Sequence, residues 1–138
     1  MNQTEEIKAN DQIIAIIIYD EFSKDGIEFF TQGEFSQQVA YMKRGKGYKI
    51  QEHMHKLQIR EVKYTQETLF IKNGRVRVDF YTDDEVYLTS RELKTGDVVL
   101  LASGGHGFEF LEEAEMIEVK QGPYCEEEDK VRFKGIKA

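Results

Sequence analysis

Three histidines occur in the chain, and their spacing is the first clue to chemistry. His53 and His55 form an H-x-H pair, and His106 follows Gly104 and Gly105. Imidazole is the commonest protein metal ligand near neutral pH, so three placed this way point to one metal centre. Residues two apart on a strand project to the same face, which lets both paired imidazoles reach one ion, with Lys49 and Gln51 beside them. The two glycines ahead of His106 allow backbone conformations that aim the third imidazole inward. Two carboxylates compete for a fourth place: Glu67, which opens the run toward Asn73-Gly74, and Glu61, nearer to the pair along the chain.

Three imidazoles and one carboxylate make a mixed nitrogen and oxygen set. It suits one divalent transition metal, Fe, Mn, Ni or Zn, and is too rich in nitrogen for Ca or Mg. An octahedral ion so held keeps two positions for water or a chelating substrate, which Lewis-acid chemistry requires. A tetrahedral ion would be closed and structural.

Such ligands need a scaffold, and period-two alternation supplies one. In Arg75–Tyr81, Val76, Val78 and Phe80 share one face while Arg75, Arg77 and Asp79 share the other. Similar runs cover Ile13–Tyr19, Gly26–Phe30, Gln37–Lys43, Tyr48–Ile59, Val62–Ile71, Val86–Leu88, Asp97–Leu101, Gly107–Leu111 and Met116–Gln121. Turn residues separate them, most sharply Asn73-Gly74, whose two residues tolerate the positive φ of a two-residue hairpin. No long stretch has helical periodicity, and Ser90–Lys94 could form one brief turn at most. Many short antiparallel strands define an all-β sandwich or barrel. Tyr41, Phe70, Phe80, Phe108 and Phe110 are expected in its core or lining.

At 138 residues the chain forms one domain, 1–138. Its net charge is −7 and its basic residues are scattered, which excludes the basic stripe that nucleic acid requires. Ile13–Tyr19 is too short to span a bilayer and is preceded by Glu5, Glu6 and Asp11, so no membrane association or export is expected. The single cysteine, Cys125, fits a reducing cytoplasm and an inert thiol. Residues 125–138, opening on Glu126-Glu127-Glu128-Asp129, are expected to be a solvated acidic tail. The strand Ile13–Ile18 is apolar on both faces and must be covered on both, which leads to the expectation of a homodimer with this strand in or near the interface.

In its motifs the chain resembles the cupin superfamily. Gly47, five residues, His53-x-His55, then Glu67, six residues and Gly74 looks like the first cupin motif. Gly96, five residues, Ala102-x-Gly104 and His106 looks like the second, with 21 residues between Gly74 and Gly96. The departures are the eleven residues between His55 and Glu67, which keep Glu61 as a substitute, Ala102 in place of the usual proline, and Phe110 in place of the usual asparagine. The resemblance implies an antiparallel β-barrel, the jelly roll or double-stranded β-helix, with a metal-site core over about 47–110. It implies His53, His55, Glu67 and His106 as ligands of one divalent metal, and a rim that includes 119–124. The expected function is that of a metalloenzyme acting on a small polar substrate. The alternatives are a noncatalytic module binding a metal or small ligand, and a sugar isomerase or epimerase. Lys49, Gln51, Glu118 and Lys120 are the candidates for contacts around the metal site.

Overall fold

The computed structural model of the chain describes residues 3–123 and 130–135. Among them are ten strands and no helix: β1 (Thr4–Ala9), β2 (Gln12–Ile18), β3 (Gly26–Phe29), β4 (Ala40–Lys43), β5 (Glu67–Asn73), β6 (Arg75–Tyr81), β7 (Tyr87–Lys94), β8 (Val98–Leu101), β9 (Gly105–Phe110) and β10 (Glu115–Lys120). All pairings are antiparallel. One sheet has the order β1-β2-β8-β5-β10, a second has β7-β6-β9, and β3 and β4 pair as a hairpin. The all-β class therefore holds, but no strand pairing joins the two large sheets among the described residues, and no closed barrel is found.

The core lies between those sheets. Ile14, Ala15, Ile17, Leu69, Ile71, Val99 and Leu101 of the five-stranded sheet meet Val76, Val78, Phe80 and Leu93 of the three-stranded one. A second cluster, Ile13, Ile16, Leu100 and Ala102, occupies the other side of the first sheet and is covered by Phe30, Phe35 and Val39. Strand β2 is thus buried on both faces within its own chain, and the surface expected to form a dimer contact there is already satisfied.

Several elements differ from expectation for identifiable reasons. Residues 44–66 contain no strand, so Tyr48–Ile59 and the start of Val62–Ile71 are not strands although their sequence alternates. Alternation shows which side chains would share a face, and only a neighbouring edge makes a strand. Ser90–Lys94 belongs to β7 and forms no helical turn. Asn73-Gly74 joins β5 and β6, which lie in different sheets, and so forms a corner and no hairpin. Gly74, at φ +92°, is required there, because a Cβ would lie 2.6 Å from the Glu113 carbonyl oxygen. Strand β1 is polar except for buried Ile7 and partly buried Ala9, too short an apolar pattern to reveal it. Cys125 and Glu126–Asp129 lie outside the described residues. Residues 130–135 are not a detached tail, since the Phe133 ring meets Tyr81 edge-on at 5.1 Å.

The two margins of the sandwich are unlike. At one, Arg91 on β7 forks onto Glu5 on β1 at 2.9 and 2.6 Å, and the Tyr19 hydroxyl donates to the same carboxylate at 2.9 Å. This bidentate ion pair ties the sheets together. At the other margin, the terminal strands are β9 and β10.

Candidate functional site

Glu67 is the first residue of β5, in register with Leu101 on β8 and Lys120 on β10. Two residues on, Leu69 and then Ile71 point into the core, and the strand period puts Glu67 on that same inner face. His106 sits on β9 opposite Phe80. The two side chains meet across the sandwich, with His106 Nε2 2.9 Å from Glu67 Oε1. Their side chains are 31 and 12 % exposed, so the contact is half shielded from water.

The turn before His106 explains its aim. Gly104 has φ +71°, and a Cβ there would strike the Tyr81 carbonyl oxygen. Ser103 Oγ donates to the Ile13 carbonyl at 2.6 Å and the Gly104 N–H donates to Asp83 Oδ1 at 3.1 Å, which fixes the turn to β2 and to the β6–β7 loop. Gly105 is packed against Phe133, where a Cβ would come within 2.8 Å of the ring. The chain must therefore cross from β8 to β9 in a conformation reserved for glycine.

Strand β10 adds two charged groups to the same inner face. Lys120 is directly opposite Glu67, and Glu118 is opposite Leu69. Burial pushes the Glu67 carboxyl up. The His106 hydrogen bond and charge, a hydrogen bond from Glu118 and the Lys120 ammonium outweigh it and hold Glu67 below the usual carboxylate range. Burial, the hydrogen bond to Glu67 and the Glu67 charge raise the Glu118 carboxyl. Of the two carboxyls, Glu118 is therefore the first to take up a proton as pH falls.

A cleft of about 880 Å³ opens over these groups, a size suited to a small molecule. Tyr81, Phe108, Met116 and Phe133 give it apolar walls, and Lys130 and Arg132 bring two cations to it. Sequence reasoning missed this last contribution. Only the alternation of Val131 and Phe133 with basic residues hinted at anything but a solvated tail.

The other expected ligands lie elsewhere. His53 and His55 are exposed, on the strandless segment 44–66. Their rings remain together, centroids 5.3 Å apart, and the His53 Nδ1 is 2.9 Å from the Gln51 carbonyl oxygen. Glu61 is exposed, 3.9 Å from Lys63, and lines a different cleft beside Gln66 and Ser103. Lys49 is exposed and 3.6 Å from Glu52. The structure thus brings together Glu67 and His106, with Glu118 and Lys120, and leaves the H-x-H pair apart. Among the described residues no three His, Cys, Asp or Glu side chains are grouped to hold a metal ion. Of the four expected ligands, Glu67 and His106 are in contact among the described residues. No family model, no curated protein and no solved structure matches this chain.

Proposed function

We propose that this protein is a cupin-type jelly roll that binds one divalent transition metal and a small polar substrate in the cleft between its sheets. Glu67 and His106 are the donors already adjacent, and His53 and His55 complete the set. The observation that carries this is the 2.9 Å contact between a carboxylate on β5 and an imidazole on β9, beneath a cleft sized for a small molecule. A carboxylate and a neutral imidazole are both suitable ligands for such an ion. Further support comes from the order of the motifs along the chain and from the two facing antiparallel sheets.

When bound, the metal supplies a Lewis acid. The chain's own groups have separate tasks. Glu118 is hydrogen-bonded to Glu67, and Lys120, Lys130 and Arg132 give the cleft cations that attract an anionic group on the substrate. The substrate class that fits is a small polar molecule bearing a carboxylate or phosphate.

A second function, a noncatalytic module for a small anionic ligand, is favoured by the cations Lys130 and Arg132 in the cleft beside Glu67 and His106. Elemental analysis of protein purified without a histidine tag separates the two. One equivalent of Fe, Mn, Ni or Zn per chain, lost in Glu67→Gln, is expected. Absence of metal together with no uptake of any of these ions would reject the metal site and leave the binding module.

A further inference from the structure

The segment between β4 and β5 has the composition of a strand and the surroundings of none. Met54, Leu57 and Ile59 are 92, 102 and 103 % exposed, as in an isolated extended chain, and Tyr48, Ile50 and Tyr64 are more than half exposed. Among the described residues, no main-chain hydrogen bond ties residues 49–64 to either sheet. Apolar surface of this extent marks a contact site. Among the described residues these side chains touch little of their own chain, which leaves their apolar surface open to a partner. In an extended conformation His53, His55, Leu57 and Ile59 share one face, so whatever buries the two aliphatic side chains also receives the two imidazoles.

The complementary surface is the margin where β9 and β10 end their sheets. Among the described residues β9 pairs with β6 alone and β10 with β5 alone, and the Glu67–His106 contact lies between them. A strand edge accepts an added strand through its main-chain groups. We infer that residues 44–66 of a second copy of this chain add to that margin, so that the H-x-H pair of each protomer completes the Glu67–His106 site of its partner. An arm of this length tethered at both ends reaches roughly 35 Å out and back if extended, about the span of a small domain. The exchange is reciprocal and so closes as a two-fold dimer with two equal sites. It rests on the metal reading of the site for the role of the histidines, though not for the contact of the arm.

Two measurements test it. Light scattering at micromolar concentration should give a dimer for the natural chain and a monomer for Leu57→Asp/Ile59→Asp, with both showing the same strand content by circular dichroism. Next, His53→Ala/His55→Ala and Glu67→Gln/His106→Ala are unfolded, mixed in equal amounts and refolded together, and Co(II) alone is added as the probe. Random pairing makes half of the dimers mixed, each with one intact site, so uptake of about one Co(II) per four chains is expected where each variant alone takes up none. A monomeric natural chain, a dimer indifferent to Leu57→Asp/Ile59→Asp, or a mixture that stays empty while the natural chain binds Co(II) would overturn the exchange and leave the metal site standing within one chain. A dimer that depends on the arm and binds no Co(II) keeps the exchange and rejects the metal.

Discussion

Glu67 and Glu61 lie six residues apart and differ in their surroundings. Glu67 faces His106 and Glu118 in the cleft, whereas Glu61 stands in water near Lys63. Glu67→Gln should therefore abolish or strongly weaken metal binding, by tenfold or more as judged from losses at metal-supporting residues, while Glu61→Gln leaves the isotherm unchanged. Equal losses would move the site off β5. The carboxyl pair also fixes a pH dependence. Glu67, lowered in the fold, contributes stability that is present above its unfolded value near 4.5 and lost as pH falls through its lower folded value. Glu118, raised in the fold, contributes stability that is present below 4.5 and lost as pH rises through its raised value. Replacing it by Gln keeps a donor to Glu67 and removes the second charge. Glu118→Gln should thus be no more stable than the natural chain at pH 4 and slightly more stable at pH 7, by less than about 1 kcal/mol because the site is partly screened. Urea midpoints at the two pH values measure this, and the opposite trend would break the pairing. Glu67 and His106 were legible from motif order. Glu118 and Lys120 were candidates from their alternation along one strand, but their place beside Glu67 was not legible, because it follows from a β5–β10 register that no local pattern encodes.

At the level of elements, the turns decide which side chains meet. Gly104 carries the chain from β8 to β9 at positive φ with the Tyr81 carbonyl against it, so Gly104→Ala adds about 1–2 kcal/mol of left-handed strain to a collision and displaces His106. Lower thermal stability together with weaker metal binding is expected, and unchanged affinity would mean that the turn does not aim the imidazole. Asp97, 1 % exposed, accepts from the Lys94 N–H at 2.7 Å and from the Asp20 N–H at 2.8 Å, and so pins the β7–β8 turn to the end of β2. Asp97→Ala leaves those donors without their acceptor and should cost about 1–3 kcal/mol in urea unfolding. A loss below experimental error would show the turn to be held otherwise. Nine of the ten strands overlap alternating or continuous apolar runs readable at the outset, β7 only at its start. Strand β1 escaped because an edge strand with one buried residue carries no pattern, and Tyr48–Ile59 misled because alternation without an adjacent edge leaves a chain extended and unpaired.

Taken whole, the molecule is a sandwich tied at the margin where Glu5 meets Arg91 and open at the margin where Glu67 meets His106. The proposed site thus lies opposite the Glu5–Arg91 clasp, at the margin where β9 and β10 end their sheets. One sequence could not reveal this: the two halves of the expected ligand set lie on parts of the chain whose meeting depends on tertiary or quaternary contacts and on no spacing. Binding at this margin couples directly to stability, since a ligand that bridges β5 and β9 holds the two sheets together and has no preformed site in the unfolded chain. With free metal at about 100 times its dissociation constant, the folded state gains roughly 2.7 kcal/mol. For a domain of this length that corresponds to about ten degrees in melting temperature. Protein stripped with a chelator should melt that much lower than protein reloaded with Fe, Mn, Ni or Zn, and Glu67→Gln should show a clearly smaller difference between the two states. A gain of equal size in Glu67→Gln would locate the metal away from the cleft, and no gain in the natural chain would remove the metal altogether.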